Sequence, residues 1–228
     1  MAYTQLSGQV HTEVLTRTLR INEIFFSLQG ETSKVGLPTA FIRLTGCPLR
    51  CSYCDTEYAF HKGEKLSIGQ IMQTISTFRT RHVTVTGGEP LAQTTCHDLL
   101  THLCNEAYEV SLETSGAMDV SAVDPRVMKI LDIKTPASGE ADKNRFENLE
   151  SLNLTDQIKL VVCSRDDYEW ARKMLFEKQL HEYCEVLFSP SHNELAGNRL
   201  ADWILEDKLP VRFQVQLHKY LWGDVPGK

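Results

Sequence analysis

Eight short apolar, β-branched runs recur along this chain, at 21–26, 40–44, 82–86, 110–113, 127–133, 157–162, 185–188 and 211–217. Runs of this length and residue type read as strands. Between them, 68–78, 91–107, 166–178 and 199–206 carry apolar residues three and four apart, the spacing of amphipathic helices. Alternation of the two implies parallel strands joined by right-handed crossovers, an α/β class. The helices are too few for a complete eightfold barrel, so the expected architecture is an abbreviated, partly open parallel (β/α) barrel with reduced helix content. Residues 1–18 are polar and weakly patterned and read as an N-terminal extension. Residues 19–228 read as a single catalytic domain, since no repeat, low-complexity block or linker interrupts the pattern.

Several runs end in polar or glycine-rich residues: Thr86-Gly87-Gly88-Glu89-Pro90, Glu113-Thr114-Ser115-Gly116, Asp132-Ile133-Lys134 and Ser189-Pro190-Ser191-His192. Ligands gather at the carboxyl ends of parallel strands, so these groups are expected to line one mouth. The loop after 40–44 adds Cys47, Cys51 and Cys54 within Gly46-Cys47-Pro48-Leu49-Arg50-Cys51-Ser52-Tyr53-Cys54-Asp55-Thr56. Three thiolates there can converge on one soft metal centre, and a four-iron cluster so held keeps one iron open for a small molecule. A structural zinc site usually closes with four ligands. No second cysteine pair follows and His61 is the nearest fourth ligand, so spacing alone leaves zinc open.

Seven cysteines, an odd number, and the lack of a signal peptide with an apolar central stretch disfavour a disulfide and favour a reducing, cytoplasmic compartment. Cys96, Cys104, Cys163 and Cys184 fall within helix or strand patterns and read as small packing residues. The formal net charge of -6 argues against direct nucleic-acid binding, which draws most of its affinity from a basic surface. No run approaches membrane-spanning length, so a small-molecule partner and no membrane are expected.

Cys-x3-Cys-x2-Cys with Tyr53 before the last cysteine, followed one strand later by Gly87-Gly88-Glu89-Pro90, resembles the radical S-adenosylmethionine (SAM) superfamily. The expected barrel is then of the radical SAM type. The resemblance implies a 4Fe-4S cluster on Cys47, Cys51 and Cys54, with SAM chelated at the fourth iron and cleaved to methionine and a 5′-deoxyadenosyl radical. Further motifs, Phe26-Ser27-Leu28-Gln29-Gly30-Glu31, Gly36-x-Pro38-x2-Phe41-x-Arg43-x2-Gly46-Cys47, Cys54-Asp55-Thr56 and Gln216-x-His218-Lys219, resemble the queuosine-pathway branch of that superfamily. That resemblance runs from Ile21 to the C-terminal strand. It implies conversion of 6-carboxy-5,6,7,8-tetrahydropterin to 7-carboxy-7-deazaguanine, with ring contraction and loss of ammonia.

Residue roles follow from the resemblance and from side-chain chemistry. On the cofactor side, Tyr53 and Asp55 flank the last cysteine, and Gly88 and Glu89 belong to the turn that meets the methionine end. Ser115 or Asp132 can accept ribose hydroxyls, and Lys134 can approach the cofactor carboxylate. On the substrate side, the planar fork of Arg43 suits a carboxylate. Leu28, Gln29, Gly30 and Glu31, with Glu113, can satisfy the alternating donors and acceptors of a pterin edge. Thr86 lies on the same wall, and His218 can cap the pterin or act as an acid when ammonia leaves. In the family the residue at Thr56 is a magnesium ligand, implying Mg2+ shared with substrate oxygens and water.

Ordinary structural roles stay open beside these: an exposed ion pair for Arg43, a turn for Gln29, a solvated loop acid for Glu31, a helix cap for Thr56. Tyr53 can be a simple hydrophobic wedge and His218 a satisfied structural histidine. A flavodoxin-type electron donor and a homodimer covering an exposed sheet edge are expected. In relatives the chain terminus approaches the substrate, which raises the same question for Lys228. A glycyl-radical activating enzyme and a zinc or iron-sulfur interaction module are the competing functions.

Overall fold

The computed structural model describes residues 13–223, 225 and 227. Most of the N-terminal extension, residues 1–12, and the terminal Lys228 therefore lie outside the described residues. Within the rest of that extension Val14 and Leu15 pack against the core, and Thr18 already starts a strand.

Among the described residues nine strands form one open sheet, β1 (Thr18–Leu28), β2 (Pro38–Leu44), β3 (Glu64–Ser67), β4 (His82–Gly87), β5 (Glu109–Thr114), β6 (Met128–Ile133), β7 (Gln157–Val162), β8 (Glu185–Pro190) and β9 (Arg212–Phe213). The order is β3-β1-β2-β4-β5-β6-β7-β8-β9, and every neighbouring pair from β2 to β9 is parallel. Full crossover helices follow only some strands: α1 (Ile68–Ser76), α2 (Cys96–Asn105), α3 (Arg165–Glu177) and α5 (Gly197–Glu206), with short α4 (Leu180–Tyr183) after α3. β5 to β6, and β6 to β7, are joined without an α-helix, the latter through three 3-10 turns. The expected partly open barrel with few helices is thus the observed one.

Three local expectations need correction. β1 runs antiparallel to β2, because residues 29–37 are too short for a crossover and close a hairpin instead, with Gly36 at φ +86°. The expected helix 91–107 begins only at Cys96: Gln93 is extended, and its side chain bonds Arg20 and Thr45 backbone groups at 2.8–3.0 Å, pinning this stretch to the sheet. The last strand is two residues long, and α6 (Leu217–Trp222) replaces its end, since Leu217 N–H donates to Gly30 O at 2.9 Å and draws the chain off the sheet.

Strand alternation sorts the side chains. Ile42, Val83, Val85, Leu112, Leu131, Ile133, Ile158 and Leu160 face the helices and form the core. The alternate set faces the concave side and is largely polar, Arg43, Thr84, Thr86, Ser111, Glu113, Asp132 and Lys159, with Phe41, Ile130 and Val161 among them. A polar inner surface cannot close on itself as a dry barrel core does; it encloses a site. Among the described residues no helix is long and apolar enough to cross a membrane.

Candidate active site

The concave side holds a cavity of about 400 Å³. Its lining includes Leu28, Gln29, Gly30, Glu31, Arg43, Cys47, Cys51, Tyr53, Cys54, Asp55, Thr56, Thr86, Gly88, Glu113, Ser115, Asp132, Lys134 and His218, all expected at the site. Glu89 is not in the wall. It is fully buried, and its carboxylate accepts from Ser115 N–H at 2.7 Å, Ser115 Oγ at 2.5 Å, Thr114 Oγ1 at 3.0 Å and Leu91 N–H at 3.0 Å. Its place is behind the wall, where it joins the end of β4 to the end of β5.

The cysteine loop is anchored on both flanks. Gly46 N–H donates to Ala59 O at 2.9 Å, and Ser52 N–H and Oγ bond Ser138 O and Ala137 O at 3.0 and 2.6 Å. All three cysteines are free thiols on one wall of the cavity. Burial raises the Cys47 thiol and pushes Cys51 up to about 11, so a metal centre bound by these two must displace their protons. The Gly87-Gly88 turn lies directly beneath. A Cβ on Gly88 would sit 2.2 Å from Gly46 O and 2.8 Å from Cys47 Cβ, so only glycine allows this approach. Three thiols without a fourth cysteine in the wall, over a backbone-lined cradle, fit a cluster with one iron left open. His61, the fourth ligand a zinc site would need, does not line this cavity.

Farther in, the polar side chains form one network. Lys159 Nζ bonds Glu31 at 2.6 Å and reaches Asp132, its register partner across β6 and β7, at 3.7 Å. Asp132 also pairs with Lys134 at 3.1 Å, while its Oδ1 is buried and has no hydrogen-bond partner. Buried polar atoms are rarely left so. Gln29 Nε2 donates to Thr84 Oγ1 at 3.0 Å and Glu113 at 3.4 Å, and Thr86 Oγ1 donates to Glu113 at 3.0 Å. Gln216 Nε2 donates to Glu31 at 3.1 Å, and Lys219 approaches Asp55 at 3.7 Å. The segment around α6 therefore clasps the loop after β1 on one side and the cysteine loop on the other.

These contacts push two carboxyls apart. Burial raises Glu31, but the Lys159 ammonium overcomes this and holds it at about 2; burial and the Glu31 charge raise Glu113 above its ordinary value. Burial lowers His218, against the pull of Glu31 and Asp55, which favours its neutral imidazole. Lys159 stays charged because Glu31, Asp132 and Glu113 offset its burial. Sequence reading missed Lys159, although a lysine inside the apolar run 157–162 on an inward position was its signal. Gln216, in the motif Gln216-x-His218-Lys219, takes its role from the bond to Glu31, which its place in the sequence does not reveal. Thr56 opens a 3-10 turn but makes no side-chain cap bond; its hydroxyl lies 3.7 Å from Cys54 Sγ.

A parallel-rich open barrel whose mouth carries three free thiols over a glycine cradle defines the radical SAM class, and residues 41–132 match the model of the Radical SAM superfamily. The crystal structure of QueE from Escherichia coli has the same fold, with a TM-score of 0.76 at 24% identity, covering 91% of this chain and 98% of that one. A 7-carboxy-7-deazaguanine synthase from Chlorobaculum tepidum is 45% identical over 208 residues, which is 90% of this chain and 94% of the relative. Another, from Koribacter versatilis, is 41% identical over 219 residues, 90% of this chain and 97% of the relative. The chain belongs to the 7-carboxy-7-deazaguanine synthase family.

Proposed function

We propose that this chain converts 6-carboxy-5,6,7,8-tetrahydropterin to 7-carboxy-7-deazaguanine with release of ammonia, in queuosine biosynthesis. One observation carries the reading: the three thiols and the polar set Gln29, Glu31, Arg43 and Glu113 line a single cavity. When bound, the 4Fe-4S cluster and SAM supply the electron and the radical. The residues of the chain bind, orient and hold protons.

Cys47, Cys51 and Cys54 would hold the cluster. Gly88 presents backbone to the methionine end of SAM, and Glu89 acts by fixing that turn and Ser115. Asp132 or Ser115 would accept the ribose hydroxyls, with Lys134 and Tyr53 beside them. Arg43 takes the substrate carboxylate, and ionised Glu31 accepts the paired N–H donors of the pterin edge, with Gln29 and the Leu28–Gly30 backbone completing it. Glu113 keeps its proton longer than Glu31 and serves as the proton store, a division produced by their environments. Neutral His218 caps the ring as a hydrogen-bond partner. Thr56, which lines the cavity, would hold Mg2+, an ion that prefers oxygen ligands and would add a Lewis-acid charge at the substrate.

A flavodoxin-type donor, a cytoplasmic location and a homodimer complete the reading; exposed Tyr220, Leu221 and Val215 around α6 support a covered face there. Anaerobic reconstitution tests the reading. Iron-loaded protein with a reductant should release 5′-deoxyadenosine from SAM, and Cys51→Ala should not. A fully loaded wild-type protein that releases none would overturn it.

A further inference from the structure

We infer that Glu23 is a positioning residue that aims Arg43 at the substrate carboxylate, an inference that rests on Arg43 being the carboxylate handle. The starting point is a break in the alternation of β1. Ile21 is buried in the core and Ile24 packs against it, although three residues apart they should face opposite sides. The register of β1 on β2 shifts between Ile21 and Glu23, the mark of a bulge. Asn22 takes up the extra residue and ties its amide to Lys62 O at 3.0 Å and Tyr58 O at 3.4 Å. Beyond it the strand is rephased: Ile24 faces the core, while Phe25 lines the cavity. Bulges re-aim side chains beside active sites, and this one turns Glu23 to the concave side.

There Glu23 stands opposite Arg43 as its register partner. Arg43 Nε donates to Glu23 Oε1 at 2.7 Å, and Tyr58 Oη donates to the same oxygen at 2.8 Å. The guanidinium carbon lies 5.7 Å from the Phe25 ring centre and 5.9 Å from that of Tyr58. Phe25 is in turn held by stacking on Phe41, with ring centres 4.8 Å apart. The fork is therefore fixed in plane and direction by one carboxylate and two rings. Its Nε edge is taken, and among the described residues neither Nη atom has a hydrogen-bond partner. That leaves an Nη pair for a carboxylate, the bidentate geometry in which arginine is strongest. A loose arginine would lose side-chain freedom on binding; this one has lost it already.

The test compares dissociation constants of SAM-loaded, cluster-containing protein for the carboxylated tetrahydropterin and for the same ring without its carboxylate. Glu23→Ala should weaken the carboxylated ligand about tenfold and leave the other within twofold. Glu23→Gln, which keeps an acceptor for Nε, should restore most of the affinity, and Tyr58→Phe should produce a smaller loss of the same selectivity. In an Arg43→Ala background, Glu23→Ala should change nothing further. Equal weakening of both ligands, or additive effects in the double variant, would make Glu23 merely structural and overturn the inference. If Arg43→Ala is selective for the carboxylated ligand and Glu23→Ala has no effect, the inference fails while the reading of Arg43 stands. If Arg43→Ala is itself unselective, that reading fails and the inference with it.

Discussion

Replacing Gly88 by alanine tests the contact between the glycine turn and the cysteine loop. The added methyl falls 2.2 Å from Gly46 O, 2.7 Å from Gly46 C and 2.8 Å from Cys47 Cβ. Even close C–H···O contacts keep about 3.3 Å, so the overlap is about 1 Å against backbone. Gly46 O cannot retreat freely, since it accepts from Glu89 N–H at 2.8 Å, and Gly88 N–H itself donates to Leu44 O at 3.2 Å. Overpacking costs about 1–3 kcal/mol and a lost backbone hydrogen bond about 1 kcal/mol, together about 2–4 kcal/mol. For a chain of this size that lowers the melting temperature by roughly 10 °C. Cys47 moves with the displaced loop, so iron loading and 5′-deoxyadenosine release fall as well. Calorimetry and iron analysis after anaerobic reconstitution read both effects. Gly197→Ala is the control, because its methyl would meet nothing nearer than Phe213 Cζ at 3.4 Å. A Gly88→Ala protein with the wild-type melting temperature and full iron would refute the reasoning.

Three further outcomes are expected. Gly30→Ala places a methyl 2.2 Å from His218 Nδ1, so carboxylated pterin affinity should drop about tenfold, roughly 1.4 kcal/mol, while SAM binding measured without substrate is unchanged. Lys159→Met leaves Glu31 buried without its cation and should destabilise by about 3 kcal/mol; adding Glu31→Gln should restore much of this in urea unfolding. The folded-state value of Glu31, about 2 against an ordinary 4.5, makes its stabilising contribution complete above pH 4.5 and lost as pH falls toward 2. Glu113, raised when folded, acts in the opposite sense, its contribution disappearing as pH rises through its elevated value. Stability measured across pH 2 to 4.5 should therefore slope less steeply in Glu31→Gln than in wild type.

The sequence carried the site further than it carried the fold's details. β2, β4, β5, β6, β7 and β8 were legible because their outward residues are mostly apolar, with Lys129 on β6 and Thr114 on β5 as buried exceptions. β3 was not, since Glu64 and Lys65 lie on an edge strand and are exposed. The direction of β1 depended on loop length, which the residue pattern of the strand does not contain. Cys47, Cys51 and Cys54 were legible from their spacing as a set of metal ligands, while the cluster itself and the role of Gly88 came from the resemblance to the family pattern. Lys159 and Glu23 could not be read in this way: one owes its role to a register partner across β6 and β7, the other to a bulge. Glu89 was expected near SAM as part of the glycine turn, and the position of its carboxylate, held behind the wall by four donors, depends on Thr114 and Ser115 of the neighbouring strand end.

The most direct test is mass spectrometry of the pterin pool after anaerobic reaction with iron-loaded protein, SAM and reductant. The account predicts that 6-carboxy-5,6,7,8-tetrahydropterin disappears as 7-carboxy-7-deazaguanine and ammonia form in equal amounts, with neither produced by Cys51→Ala. Release of 5′-deoxyadenosine from the loaded wild-type protein with the pterin left unchanged would contradict it.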